Sequence, residues 1–321
     1  MPNNKDTKIV FMGSPEFAIP SLKALLEAKY DLALVVSQDA KACGRGKRLE
    51  DCAVACYAQK NGLQLETPKR IKPKSGREFL DKVASLKPDF IVVAAYGKIL
   101  PKRLLAIPKY GCINVHASLL PRWRGASPIT HAILQGDDVS GVSIMEMTAG
   151  LDEGPVYLQD KIRVLSDDTT ESLSQKLSHM GAKLLLQALP SIKNASLKAL
   201  PQEDCDASYA PLLKKIDGNL DFNKSAKELE RQIRAMFPWP CAYTSLMQKN
   251  LKIFKARAIP LEDKFKDCEN GSILSCKNKF LVKCKDEVLQ ILSLQLEGKK
   301  AMEARNFTCG CRINDCEKLG S

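Results

Sequence analysis

Gly111-Cys112-Ile113-Asn114-Val115-His116-Ala117-Ser118-Leu119-Leu120-Pro121-Arg122-Trp123-Arg124-Gly125 is the stretch that orders the rest of the chain. Ile113 and Val115 alternate with Asn114 and His116, which is the pattern of a strand. Side chains of a strand alternate between faces, so Asn114 and His116 point the same way. An amide and an imidazole side by side can both donate hydrogen bonds to one carbonyl oxygen. That pairing stabilises negative charge developing there during acyl transfer. Pro121 cannot donate to a central ladder, so the strand ends before it. A strand giving way to a loop is a common address for chemistry in an α/β sheet. The bland alternative is a satisfied polar pair at a strand end, and the surroundings decide between them.

Upstream, Lys8 to Gly13 reads as a buried, near-continuously apolar strand. Ser14 is the expected N-cap and Pro15 the first position of a helix reaching Lys29. Asp31–Ser37 is the second strand, and strand–helix–strand implies a right-handed parallel crossover. The Gly13 turn lacks GxGxxG, so it does not argue for a dinucleotide. Phe90 to Gly97 is the strongest buried strand. Its end, from Ala94 to Ile99, lies beside Asn114 and His116 if the two strands are parallel neighbours.

Downstream, Val142 to Met147 reads as a strand running into Thr148-Ala149-Gly150-Leu151-Asp152-Glu153-Gly154-Pro155. Two glycines and a proline make this a tight, shaped loop. A carboxylate held there can reach His116 and orient its ring; as an Asx-turn residue it would only cap its own loop. His131 and His179 read as half-buried structural histidines. Val156–Val164 is an edge strand, and a long helix capped at Thr169 or Thr170 is expected to end at Pro190.

From about 193 to 209 the chain turns polar and reads as a linker. A helix over Lys224–Phe237, stopped by Pro238-Trp239-Pro240, then precedes short β-like runs separated by turn residues. These suggest a small OB-like β-barrel. The expected class is therefore α/β: a Rossmann-like, mostly parallel sheet with helices on both faces, over 1–192, then a linker and an OB-like domain over 210–321.

The 321 residues suffice for two domains, and no apolar run reaches membrane-spanning length. The polar N-terminus lacks a signal-peptide core, so a cytoplasmic protein is expected. Of the twelve cysteines, none forms a CxxC pair or has a His at finger spacing. Reduced thiols and no metal are the reading. The net charge is +12. Residues 206–321 carry 21 basic against 15 acidic side chains, residues 1–205 28 against 22, so the shorter part is the more densely basic. That favours a polyanionic partner, nucleic acid being the commonest, over a merely soluble basic protein. Lys41 to Arg48, with Gly44, Arg45, Gly46 and Lys47, forms a cationic loop that can close over a phosphate backbone or simply be solvated.

Asn114-Val115-His116-Ala117-Ser118-Leu119-Leu120-Pro121 and Gly150-Leu151-Asp152-Glu153-Gly154 resemble the signature of the 10-formyltetrahydrofolate-dependent formyltransferases. Those motifs alone also fit formyl transfer to glycinamide ribonucleotide or to an amino sugar. Four further stretches resemble the methionyl-tRNA branch of the family: Gly44–Leu49, Pro121–Gly125, Leu229–Pro240 and Leu294–Met302. The Cys309–Cys316 tail and Met236-Phe237 depart from that pattern. The resemblance implies that Asn114, His116 and Asp152 are the catalytic trio. It implies that Ser118, Leu119, Leu120 and Pro121 contact 10-formyltetrahydrofolate, with Ala94, Tyr96 and Ile99 beside them. Arg45, Lys47 and Arg48 would meet the acceptor end of initiator methionyl-tRNA, and a monomer is expected. The rival outside enzymes is a non-catalytic RNA-binding protein with a vestigial trio.

Overall fold

The computed structural model describes residues 4–43, 48–72, 75–275, 279–310 and 317–320. The chain forms two compact units: Met1–Pro128, Val139–Arg163 and Ser174–Pro211 make one, and Ile129–Asp138, Val164–Leu173 and Leu212–Ser321 the other.

The first unit begins with β1 (Lys8–Gly13), α1 (Ile19–Glu27) and β2 (Asp31–Val36). A short hairpin of β3 (Lys41–Cys43) and β4 (Arg48–Glu50) follows where the sequence suggested only a loop. Then come α2 (Ala53–Lys60), β5 (Leu65–Glu66), α3 (Arg77–Leu86), β6 (Phe90–Ala94) and α4 (Lys102–Leu105). β7 (Cys112–His116) leads to β8 (Arg124–Gly125). α5 (Pro128–Gln135), which from Ile129 on belongs to the second unit, is followed in sequence by the antiparallel pair β9 (Val139–Glu146) and β10 (Val156–Arg163), then by α6 (Thr170–Lys193), of the first unit from Ser174 on, and β11 (Tyr209–Ala210).

The main sheet has the order β10-β9-β7-β6-β1-β2-β5. Its five strands from β7 to β5 are parallel, and β9 and β10 are antiparallel additions. β6 and β7 are buried at every position, as strands covered on both faces must be. They are the parallel neighbours expected: Val93 stands opposite Asn114. β10 is the sheet edge, and its partial exposure agrees with its reading as an edge strand.

Three local expectations are corrected. Ser14 caps no helix. Its hydroxyl donates to the Tyr96 carbonyl at 3.2 Å and accepts from Gln38 N–H at 3.3 Å, tying the ends of β1, β2 and β6 together. α6 runs through Pro190 to Lys193, because Leu185, Ala188, Leu189 and Ile192 continue one buried stripe whose packing outweighs the proline's local cost. His179 is exposed, whereas His131 is half-buried as expected.

α6 also fixes where β7 lies. A Cβ on Gly181 would stand 2.5 Å from Cγ1 of Val115, between Asn114 and His116. Val115 is 2% exposed and β-branched, so it cannot yield. Gly181→Ala is therefore expected to cost about 1–3 kcal/mol by overpacking, read as a lowered midpoint in urea unfolding with an unchanged slope.

In the second unit, α7 (Ala226–Ala235) is capped by Ser225, whose hydroxyl accepts from Glu228 N–H at 3.1 Å while Glu228 accepts from Ser225 N–H at 2.9 Å. Strands β12 (Ala242–Leu246), β13 (Lys249–Ile259), β14 (Ile273–Ser275), β15 (Phe280–Lys283), β16 (Val288–Leu296) and β17 (Met302–Glu303) follow, then α8 (Ala304–Gly310). They form an antiparallel sheet of order β12-β13-β16-β15-β14, with β17 on β16. Leu229, Ile233, Leu251, Ile253, Phe280 and Ile291 share its core, so α7 packs on one face. This is the small OB-like β unit expected, its end strands β12 and β14 unjoined by ladder bonds among the described residues.

Candidate active site

The alternation of β7 places Asn114 and His116 on one face at the strand's C-terminal end, both buried, at 8% and 5% exposure. Neighbouring strands fix their backbones: Asn114 pairs with Val93 and Met145, and His116 with Ser143. Among the described residues the Asn114 carboxamide makes no side-chain hydrogen bond.

The His116 ring is held on two sides. Nε2 lies 3.0 Å from the Trp123 carbonyl oxygen, which can only accept, so Nε2 carries the proton. Nδ1 faces Oδ2 of Asp152 at 3.7 Å. Asp152 reaches there from a left-handed backbone conformation, φ +49°, that aspartate tolerates better than most residues. Its Oδ2 also accepts from Gly125 N–H at 2.9 Å. Only glycine fits at 125: φ is +120°, and a Cβ would stand 2.7 Å from the Ala210 carbonyl oxygen. The structure thus brings the three expected residues together, and Asp152 binds across to another loop instead of merely capping its own.

The turn after β7 is closed by its own bonds. Ser118 is buried, and its hydroxyl donates to the Arg122 carbonyl at 2.6 Å. Leu120 is buried and its peptide bond to Pro121 is cis; Leu119 and Pro121 are half-buried. Ser143 and Gln159, which sequence reasoning missed, brace this turn from β9 and β10. Ser143 Oγ donates to the Ser118 carbonyl at 2.6 Å and accepts from Leu120 N–H at 3.1 Å and Gln159 Nε2 at 2.8 Å. Gln159 also donates to the Leu120 carbonyl at 2.8 Å. A serine at a fully buried position of an apolar strand was the available signal.

Of the other expected cofactor contacts, Ala94 is buried at the end of β6, one residue past Val93, the partner of Asn114. Tyr96 is 1% exposed and its ring packs in the core with Met12, Leu34 and Val93. Burial, then the charge of Asp39, push its phenol above the usual range. Ile99 is 87% exposed. Arg45 and Lys47 lie outside the described residues, and Arg48 opens β4. Cys112 begins β7, but burial and then Glu146 push its thiol up to about 12, so it offers no thiolate near neutral pH. Among the described residues no group of three or more His, Cys, Asp or Glu side chains could hold a metal ion. No helix among them is long and apolar enough to cross a membrane.

An open amide, an oriented imidazole and a carboxylate around the end of a central strand are groups able to stabilise negative charge in acyl transfer. Residues 7–189 match the family described as "Formyl transferase", and residues 212–312 match "Formyl transferase, C-terminal domain". A protein of Thermodesulfovibrio yellowstonii named methionyl-tRNA formyltransferase is 42% identical over 96% of this chain and 97% of its own length. One of Caldanaerobacter subterraneus with the same name is 42% identical over 95% and 97%. The solved N-formyltransferase of Helicobacter canadensis, in complex with folinic acid and dTDP-3-aminofucose, shares the fold. It has a TM-score of 0.66 and 20% identity over 89% of this chain and 99% of that one. The chain belongs to the formyl transferase family, and within it to the methionyl-tRNA formyltransferases.

Proposed function

We propose that the chain transfers a formyl group from 10-formyltetrahydrofolate to the α-amino group of initiator methionyl-tRNA, for translation initiation in the cytoplasm, acting as a monomer. The convergence of Asn114, His116 and Asp152 carries the reading, supported by relatives of that name along nearly the whole chain. In this reading residues 1–192 are catalytic, 193–209 link, and 210–321 bind tRNA.

The donor fits the residues present. The Asn114 amide lacks a partner among the described residues, and the 118–121 turn beside it is held in place by Ser143 and Gln159. Bound there with Ala94, Ile99 and the main chain of Tyr96 alongside, 10-formyltetrahydrofolate supplies a formyl group that is already activated. This chain therefore needs no nucleophile of its own. As the methionyl amine attacks, negative charge builds on the formyl oxygen, and it returns to a carbonyl when the bond from the formyl carbon to the donor nitrogen breaks and that nitrogen leaves, protonated, with tetrahydrofolate. Asn114 donates to that oxygen, and the His116 ring offers its Nε2 proton in exchange for the Trp123 carbonyl. Asp152 keeps the ring oriented and supports positive charge on it. It also stands ready to accept the amine's proton, directly or through a water.

The test is turnover with 10-formyltetrahydrofolate and three acceptors: charged initiator tRNA, glycinamide ribonucleotide and an amino-sugar nucleotide. Turnover only with charged tRNA is expected. Preference for a small amine moves the chain to another acceptor class, and RNA binding without turnover makes it a binding module. In the same assay Arg45→Ala is expected to raise KM for charged tRNA far more than KM for the folate. Equal rises would take the cationic loop off the RNA.

A further inference from the structure

We propose that residues 202–208 are a positioning strap for the reaction centre, with Gln202 and Ser208 setting the separation of His116 and Asp152. The proposal rests on the reading of those two as catalytic and adds residues that neither the motifs nor the family signature single out.

Gln202 commits both its amide hydrogens and its carbonyl oxygen to the site's two loops. Its Nε2 donates to the carbonyls of Asp152 at 2.8 Å and Gly154 at 2.7 Å. Its Oε1 accepts from Nε of Arg124 at 3.0 Å. Arg124 is 3% exposed, and its guanidinium lies 2.9 Å from the Asp204 carboxylate, so the strap also supplies a counter-charge to this buried cation. Six residues on, Ser208 takes the other loop: its Oγ accepts from Trp123 N–H at 3.0 Å and its carbonyl from Arg124 N–H at 2.8 Å. Tyr209 and Ala210 then pair with Arg124 and Gly125 as a short parallel ladder.

Those two loops carry the partners of the His116 ring, the Trp123 carbonyl on Nε2 and the Asp152 carboxylate on Nδ1. Both sit at residues with positive φ, +61° at Trp123 and +49° at Asp152. Non-glycine residues hold such conformations only where surrounding bonds over-determine them. The strap supplies those bonds, and it reaches across 50 residues of sequence to Asp152 and 85 to Trp123.

The experiment compares Gln202→Ala, Gln202→Glu and Ser208→Ala in the full chain. Glutamate keeps the size and the acceptor for Arg124 but cannot donate to two carbonyls. We expect kcat to fall roughly 10²-fold in both Gln202 variants, less in Ser208→Ala, with KM for both substrates unchanged. The chain has three histidines, so 15N-labelled imidazoles resolve one by one. In folded Gln202→Ala and Ser208→Ala the His116 ring nitrogen signals should move while those of His131 and His179 stay. Full kcat in the Gln202 variants, or unmoved His116 signals in folded variants, overturns the strap. The ring signals need no turnover, so wild-type protein that formylates no acceptor would sink the functional reading and leave this test standing.

Discussion

Asn114→Ala and His116→Ala are each expected to lower kcat by ~10²–10³, the cost of removing one donor to a developing oxyanion. The reasoning starts from β7. Asn114 is held through its main chain by β6 and β9 and His116 by β9, so removing the side chains leaves the strand register intact. Far-UV circular dichroism should therefore be unchanged. The interactions lost are made only as charge appears on the formyl oxygen, so kcat falls and KM holds. Asn114→Asp sharpens the test: it keeps the shape and replaces a donor with a negative charge, so its loss should be at least as large as alanine's. The double alanine variant should lose less than the product of the single losses, because both residues serve one oxygen. Near-full turnover in either single variant removes that residue from the mechanism.

What could be read in the sequence followed from how local the physics was. The alternation in Cys112–His116 fixed which side chains share a face, and the apolar runs of β1 and β6 announced a parallel sheet. The turn residues around Asp152 marked a shaped loop, and geometry then put its carboxylate 3.7 Å from the ring. Local rules failed where a distant partner outbid them. Ser14 looks like a cap by its neighbours, but its hydroxyl bridges β2 and the end of β6. Pro190 looks like a stop, but the buried stripe of α6 continues past it. Gln202 and Ser208 lie in a polar stretch without periodicity, and every bond that gives them meaning goes to residues far away in the chain. No windowed pattern can show such contacts, so a stretch that reads as a connection also holds the site's loops.

Asp152→Asn is expected to cost up to ~10³ in kcat, and it separates two jobs the carboxylate could have. Asparagine tolerates the left-handed backbone at 152 and keeps an oxygen to accept from Gly125 N–H, so the loop stays in place. What disappears is the negative charge 3.7 Å from Nδ1 of His116, in a pair only 6% and 15% exposed. Two opposite charges about 4 Å apart attract by about 4 kcal/mol at an effective dielectric of 20, which sets that ceiling when positive charge on the ring is needed in the transition state. Asp152→Glu carries the charge on a longer arm and should recover part of the loss, while Asp152→Ala loses both charge and anchor and should be the worst of the three. If Asp152→Asn instead retains most of its turnover while Asp152→Ala does not, the carboxylate only orients the ring, and the electrostatic half of the mechanism falls.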